Sequence, residues 1–243
     1  MKNVIFSDTT TENTELRRDE KGLTLVSGGQ ELRGDFMAKL HRVKGTNYNH
    51  ELLAKVAKIK DADGPLTAID ATAGLGEDSL ILAAAGFTVT MYEKNPVIYE
   101  LLADTIERAL GEPELSEIVS RMNAVNGDSI EAMNRLGDAL DKGDPEAKSP
   151  DIVLLDPMFP ERQKSALVKK KLQVIQSLEE PCNDEKALVL AAIRTRPKKL
   201  IIKRPPKGPY LAGIKPDFSN GGKAVRFDCI VNPYDRIHKF NLE

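Results

Sequence analysis

Short apolar runs alternate with amphipathic segments along the chain after residue 60. The runs predict strands at Leu66–Ala71, Thr88–Glu93, Arg121–Gly127, Ile152–Asp156 and Leu200–Lys203. The amphipathic segments predict helices at Asp78–Ala85, Pro96–Leu110, Ser129–Leu140, Ser165–Leu178 and Asp184–Arg194. Strands that alternate with helices over short connections run parallel and are joined by right-handed crossovers. The pattern therefore predicts an α/β fold with a doubly wound, mostly parallel sheet.

The two ends of the chain depart from this alternation. Leu23–Phe36 contains Gly28-Gly29 between two strand-like runs, which predicts a β-hairpin, and Ala38–Lys60 passes from a basic loop into an amphipathic helix. Near the C-terminus, Lys223–Pro233 predicts an antiparallel hairpin arm at the sheet edge. We therefore expect an appendage over residues 1–50 and an α/β domain over residues 51–243.

Charge is unevenly distributed, although the formal net charge is only −2. Residues 100–156 carry 14 acidic and 5 basic side chains, whereas residues 161–215 carry 14 basic and 5 acidic ones. A basic block suits a polyanionic partner, and it is equally typical of a solvated surface. Charge alone leaves both interpretations open.

Other features narrow the class of protein. The two cysteines, Cys182 and Cys229, lack metal-site spacing and suit the core of a protein in a reducing compartment. The three histidines lie far apart in sequence, so we expect no metal site. Residues 1–13 contain no apolar signal-peptide region, and no apolar segment is long enough to cross a bilayer. We expect a soluble, cytoplasmic protein.

The stretch IDATAGLGEDS lies where the first strand of the α/β domain meets the first helix. Gly74 and Gly76 allow a tight turn and let a ligand approach the backbone, although a glycine pair can also simply make a turn. Asp70 ends the strand before this loop, and Glu93 ends the next strand, where an acid can accept hydrogen bonds from ribose hydroxyls. This arrangement favours a nucleotide-like cofactor.

The surrounding charges distinguish two such cofactors. The predicted site is ringed by acidic side chains: Asp70, Glu77, Asp78, Glu93, Asp128 and Asp156. Negative charge opposes the pyrophosphate of a nicotinamide dinucleotide, and suits the sulfonium and α-amino groups of S-adenosylmethionine. Ser79 also replaces the third glycine of the dinucleotide fingerprint. We therefore predict S-adenosylmethionine. Asp128 and Ser129 would contact its adenine amine, cap the following helix, or do both.

The apolar strand Ile152–Asp156 is followed directly by Pro157, Met158, Phe159 and Pro160. An exocyclic base amine is a poor nucleophile, and a carboxylate and a carbonyl that accept its two N–H bonds direct its lone pair toward a methyl group. We predict that Asp156 is this carboxylate, that Pro157 stiffens the loop, and that Phe159 stacks on an extruded base. An ordinary strand-ending Asp-Pro turn beside a core aromatic is the alternative.

Four motifs together carry a family resemblance: IDATAGLGED, YEKNP, LLDPMFPERQKSALVKKK and IIKRPP. Over roughly residues 15 to 230 the chain resembles the small-subunit ribosomal RNA guanine-N2 methyltransferase J family. The resemblance implies a Rossmann-like class I methyltransferase fold and methylation of a guanine in 16S rRNA. It also implies cofactor contacts at Glu77, Asp78, Glu93, Lys94, Asp128, Ser129 and Asp156. The family more usually has a basic residue at the position of Glu77, so we expect a backbone contact there.

Basic side chains near the predicted site suggest where RNA binds. We predict phosphate contacts at Lys39, Arg42, Lys164, Lys203 and Arg204. The expected partner is small-subunit ribosomal RNA or the 30S particle. Because DPMF resembles a broader amine-methylating motif in which Met158 replaces a second proline, methylation of adenine or of protein glutamine stays open. A nicotinamide-dependent dehydrogenase and a non-catalytic RNA-binding assembly factor are the alternatives from other classes.

Overall fold

Ten strands form two sheets in the computed structural model, which describes residues 14–60, 64–157 and 184–240. The strands are β1 (Thr14–Asp19), β2 (Gly22–Ser27), β3 (Gln30–Leu32), β4 (Leu66–Asp70), β5 (Phe87–Glu93), β6 (Met122–Asn126), β7 (Ile152–Leu155), β8 (Lys199–Arg204), β9 (Phe218–Gly221) and β10 (Arg226–Val231). The α-helices are α1 (Leu40–Val43), α2 (Leu52–Ala57), α3 (Glu77–Ala84), α4 (Pro96–Leu110), α5 (Ser116–Val119), α6 (Ser129–Asp141) and α7 (Glu185–Arg194). Short 3-10 helices cover Met37–Lys39, Asn47–His50, Leu211–Gly213 and Pro233–Lys239.

The larger sheet has the strand order β6-β5-β4-β7-β8-β10-β9. Strands β4 to β8 pair in parallel, while β10 runs antiparallel to both β8 and β9. The chain moves outward from β4 through β5 to β6 and then returns to place β7 on the other side of β4. The topological switch point therefore lies between β4 and β7, where ligands of open α/β sheets bind. The predicted doubly wound sheet with a C-terminal hairpin is confirmed.

Side chains of the central strands point alternately to the two faces of the sheet and contribute to an apolar cluster on each face. Ile152 and Leu154 pack on one face with Leu80 of α3, whereas Val153 and Leu155 face the other side. That second side is covered by α6 and α7. Because side chains alternate across a sheet, a strand covered on both faces reads as an unbroken apolar run. This explains the sequence pattern of β7.

The N-terminal sheet, with strand order β1-β2-β3, is anchored on α4 by a buried acid. The Asp104 carboxylate accepts hydrogen bonds from Arg18 at 2.6 Å, from Arg108 Nε at 2.8 Å and from the Leu23 amide at 3.0 Å. The predicted hairpin turn at Gly28-Gly29 is confirmed between β2 and β3, but sequence reasoning missed β1. Apart from the buried Leu16 its residues are polar or charged, so the strand lacks the alternation of apolar and polar positions that predicts a strand.

Several predicted boundaries agree with the structure to within one or two residues. Helix α4 has the predicted bounds because Asn95 Oδ1 caps the amides of Val97 and Ile98 ahead of it. The C-terminal hairpin begins earlier than predicted, since its first strand is Phe218–Gly221. The predicted helix Ser165–Leu178 lies outside the described residues. The division at residue 50 stays a prediction, and Phe36 and Val43 share one apolar cluster with the main sheet.

Candidate active site

The glycine loop between β4 and α3 has the tight turn that its sequence predicts. Gly74 and Gly76 both adopt positive φ, at 53° and 75°. A Cβ at Gly76 would lie 2.7 Å from Leu102 Cδ1, so packing also requires glycine there. At Gly74, in contrast, no atom of the described residues lies within 4 Å of the position of an added Cβ. This side of the loop is open for a ligand to approach the backbone.

Asp70 lies beneath this loop and not on its surface. Its carboxylate accepts hydrogen bonds from Ser79 Oγ at 2.7 Å and from the Thr72 amide at 3.1 Å. Complete burial raises the pKa of Asp70 to about 7, and the hydrogen bond from Ser79 only partly offsets that effect. Asp70 therefore shapes the loop from inside, and its predicted cofactor contact stays a prediction.

Glu93 joins the ends of two neighbouring strands. One carboxylate oxygen accepts the Gly74 amide at 3.0 Å and the other accepts the Asn95 amide at 2.7 Å. Burial raises the pKa of Glu93, while these backbone hydrogen bonds partly counteract that rise. The Lys94 amide also donates to this carboxylate, whose two oxygens offer about four lone-pair sites in all, so some acceptor capacity remains. Ribose hydroxyls fit that acceptor capacity next to the open side of Gly74.

Asp128 caps helix α6, as one of its two predicted roles requires. Its Oδ1 accepts the Ile130 amide at 2.8 Å, and its Oδ2 lies 3.0 Å from the Lys94 ammonium. Burial would raise the pKa of Asp128, but Lys94 and the capping amides lower it overall. Ser129 is the first residue of the helix. The contacts of Lys94, Asp128 and Ser129 with the cofactor stay predictions.

Asp156 and Thr72 connect the end of β7 to the glycine loop. The Asp156 amide donates a 2.7 Å hydrogen bond to Thr72 Oγ1. The Asp156 side chain is 39% exposed, so it can reach a ligand above the sheet edge. The stiffening role of Pro157 stays a prediction, and Phe159 and Lys164 lie outside the described residues. Sequence reasoning missed Thr72, although it lies in the middle of the glycine-loop motif.

Lys203, a predicted RNA contact that stays a prediction, pairs with two acids of the site. Its ammonium lies 2.5 Å from Asp78 Oδ2 and 2.8 Å from Asp156 Oδ2. The side chain is only 24% exposed. Burial alone lowers the pKa of Lys203, but the two carboxylates outweigh that effect and raise it overall. The ammonium is thus held between the two carboxylates of the acidic site.

The other predicted RNA contacts are a mixed group. Arg204 is buried, with a side chain only 1% exposed, and donates from Nε to the Pro209 carbonyl at 2.8 Å, so the expected phosphate contact is wrong for this arrangement. Lys39 pairs with Glu77 at 2.8 Å, and Arg42 makes a two-point ion pair with Glu51. Lys39 and Arg42 stay predictions as RNA contacts.

An aromatic–cation pair at the same sheet edge was not predicted. Tyr210 is 40% exposed, and the Arg226 guanidinium lies 5.3 Å from the centre of its ring. Arg226 is itself held by Asp228 and by the carbonyl oxygens of Pro206 and Gly208. Strand register places Arg226 opposite Arg204, which follows Lys203 on β8. The only sequence signal was a tyrosine within a proline-rich loop.

Taken together, the edge between β4, β5, β6 and β7 offers open backbone at Gly74 and carboxylates at Glu93, Asp128 and Asp156. These groups fit the ribose, amine and sulfonium groups of S-adenosylmethionine, whereas a pyrophosphate would meet several acids. Within the described ranges, no helix is long and apolar enough to cross a membrane.

Comparisons with known proteins agree with this geometry. A family model described as "Putative SAM-dependent methyltransferase" matches residues 2–232. Proteins named ribosomal RNA small subunit methyltransferase J are similar to the chain. The one from Marinobacter nauticus is 38% identical, covering 86% of this chain and 74% of its own length. The one from Neisseria gonorrhoeae is 39% identical, covering 89% and 82%.

A solved structure is also similar to the chain along most of its length. It is the crystal structure of the SAM-dependent methyltransferase NGO1261 from Neisseria gonorrhoeae. The TM-score is 0.68 at 34% identity, and the match covers 93% of this chain and 86% of that one. The chain therefore belongs to the S-adenosylmethionine-dependent methyltransferase family that includes the ribosomal RNA small subunit methyltransferase J proteins.

Proposed function

We propose that this protein transfers a methyl group from S-adenosylmethionine to the exocyclic N2 amine of a guanine in small-subunit ribosomal RNA. The observation that carries the proposal is the position of Asp156 at the switch point, with its amide held by Thr72 in the glycine loop. The similarity to proteins named for small-subunit ribosomal RNA supports the substrate class.

Alignment of the amine with the methyl group is the main chemical requirement. S-adenosylmethionine supplies an electrophilic methyl group on a positively charged sulfur. The Asp156 carboxylate accepts a hydrogen bond from one amine N–H, and this bond directs the nitrogen lone pair toward the methyl group. The same carboxylate then receives the proton that the methylated amine loses. Pro157 has a fixed φ and no N–H, so it limits movement of the carboxylate. Glu93 and the neighbouring carboxylates orient the cofactor. Much of the rate enhancement comes from the alignment of the amine with the methyl group.

RNA contacts at the sheet edge complete the proposed site. Tyr210, supported by Arg226, offers a flat ring on which an unstacked base can stack. Lys39, whose ammonium pairs with Glu77, and Lys164, which follows Asp156 by eight positions in the sequence, are proposed phosphate contacts. The buried position of Arg204 shifts the proposed RNA surface toward the loop that carries Tyr210.

The proposal is tested by following labelled methyl transfer into small ribosomal subunits that lack the modification, with nucleoside analysis of the product. Wild type should produce N2-methylguanosine, and Asp156→Ala should lower the rate by about 10²- to 10⁴-fold. Asp151→Ala is the matched control because Asp151 lies at the opposite end of β7, where it accepts the Thr67 amide at 2.8 Å. This control should retain activity.

Other outcomes separate the alternatives. Methylated adenine or glutamine would keep the cofactor and overturn the substrate. Specific binding of a nicotinamide dinucleotide would support a dehydrogenase, which the acidic site disfavours. RNA binding without methyl transfer, unchanged by Asp156→Asn, would support a non-catalytic assembly factor.

A further inference from the structure

Three charged side chains from three different elements meet beside the switch point. Asp78 comes from the first turn of α3, Asp156 follows β7, and Lys203 comes from the end of β8. The Lys203 ammonium bridges the two carboxylates at 2.5 and 2.8 Å. The ion pairs link the start of the helix behind the glycine loop to the strand end that carries the proposed amine acceptor.

The Lys203 cation is important because of the other charged groups around Asp156. Charged groups that face it from the packed elements of the described chain are Asp70 of β4, Asp78 of α3, and Lys203 and Arg204 of β8. The pKa of Asp156 lies above its ordinary value overall: partial burial raises it, the Lys203 ammonium opposes that rise, Asp78 adds to it, and Arg204 opposes it more weakly. Burial and Asp78 thus disfavour a charged Asp156, and Lys203 is the cation in direct contact with its carboxylate.

We propose that Lys203 is a positioning residue for methyl transfer, which favours the charged form of the Asp156 carboxylate and orients it by bridging it to Asp78. The role rests on the proposed function of Asp156 as acceptor of the amine N–H. A protonated Asp156 would have one oxygen occupied by hydrogen and would accept the amine poorly. Lys203 acts through Asp156 and need not touch the RNA.

The strand geometry explains why Lys203 and its neighbour differ in role. Successive residues of a strand point to opposite faces, so Lys203 points to the acidic site while Arg204 points into the interior toward Pro209 and Glu185. The two carboxylates offset the positive charge of the Lys203 ammonium, so it attracts a phosphate only weakly.

The test is the pH dependence of the single-turnover methylation rate, together with an NMR titration of the Asp156 carboxyl carbon. Removal of the cation in Lys203→Met should move the rising acidic limb of the profile, and the Asp156 titration, to higher pH by about one unit or more. Lys203→Arg keeps the charge and should leave the limb near its wild-type position, with a partly reduced rate.

Two further variants make the test specific. Asp78→Asn removes the competing acid, so the Asp156 titration should move the opposite way, to lower pH. Lys199→Met is the matched control, since Lys199 lies on the same strand and donates to the carbonyl oxygens of Val56 and Lys58, away from Asp156. It should leave the titration of Asp156 unchanged.

Each result either supports or overturns the proposed role of Lys203. A Lys203→Met enzyme that is slower by the same factor at every pH, with an unshifted Asp156 titration, would overturn the proposal. A shift of the same size in Lys199→Met would also overturn it. If Lys203→Met does not fold, the proposal still requires a near-wild-type limb in Lys203→Arg and an Asp156 titration at lower pH in Asp78→Asn, and either result failing would overturn it. Because the NMR titration needs no RNA, it tests Lys203 even if wild type methylates no ribosomal RNA, which would defeat only the proposed function.

Discussion

The backbone amide of Asp156 donates a 2.7 Å hydrogen bond to the Thr72 hydroxyl, although the two residues are 84 positions apart. Thr72 belongs to the glycine loop and Asp156 to the end of β7, so this bond joins the proposed cofactor loop to the proposed amine acceptor. Movement of either segment would therefore affect the other.

Removal of this hydroxyl should slow methyl transfer. Thr72→Val keeps the branched shape but leaves the Asp156 amide without its acceptor, and the loss of one such hydrogen bond should lower kcat by about 10-fold. Steady-state kinetics with small ribosomal subunits would measure the effect. Thr72→Ser keeps the hydroxyl and is the control. A wild-type rate for Thr72→Val would show that the bond does not position Asp156.

Asp70 should make the stability of the protein sensitive to pH. Its pKa is raised from an ordinary 3.8 to about 7 by burial, so the folded state holds a proton that the unfolded state has lost. Stability should therefore fall as pH rises through this range. Asp70→Asn abolishes that penalty, and its advantage over wild type should grow by about 1.4 kcal/mol per pH unit within the range.

Urea unfolding of both proteins at several pH values between 5 and 8, roughly the range of greatest stability of proteins, measures this difference. An unchanging difference between wild type and Asp70→Asn would contradict a raised pKa at Asp70. Asparagine can still accept the Thr72 amide and bond to Ser79, so the comparison isolates the charge.

Asp104 should contribute strongly to the attachment of the N-terminal sheet. Its side chain is 1% exposed and contacts Arg18, Arg108 and the Leu23 amide. Asp104→Ala leaves the buried Leu23 amide and the half-buried Arg108 without their acceptor and should destabilise the protein by about 2 kcal/mol. Denaturant unfolding and limited proteolysis near residues 14–32 would detect the loss. Asp138→Ala removes an exposed partner of Arg194 and should cost less than about 1 kcal/mol.

The same residue predicts acid sensitivity. Burial alone would raise the pKa of Asp104, but Arg108, the Leu23 amide and Arg18 lower it below its ordinary 3.8. Its stabilising contribution is therefore complete above the ordinary pKa and is lost as pH falls through the depressed one. Stability of the Asp104→Ala variant should depend less on pH in this acidic range.

Tyr210 should contribute to RNA affinity without affecting cofactor affinity. Loss of one stacked base is worth about 1–3 kcal/mol, so Tyr210→Ala should weaken RNA binding by roughly 5- to 150-fold. Tyr210→Phe keeps the ring and should bind nearly as wild type. Filter binding with rRNA fragments, and calorimetry with S-adenosylmethionine, would separate the two affinities. Equal binding of RNA by the alanine variant would remove Tyr210 from the proposed surface.

The sequence by itself determined the central α/β sheet and the edge at which the site lies. Apolar runs such as Ile152–Leu155 can be satisfied only by burial on both faces, and capping at Asn95-Pro96 uses contacts between near neighbours in the chain. Local and periodic signals of this kind are readable without any tertiary information.

Only the tertiary structure decided how the polar side chains pair. Lys203 and Arg204 are adjacent and both basic, yet one closes an acidic cluster with Asp78 and Asp156 while the other is buried. Partners separated by 125 residues, as Lys203 and Asp78 are, leave no periodic signal in the chain. Because ion pairs and hydrogen bonds act over a few ångströms between distant segments, their partners are set by the packing of the sheet and helices.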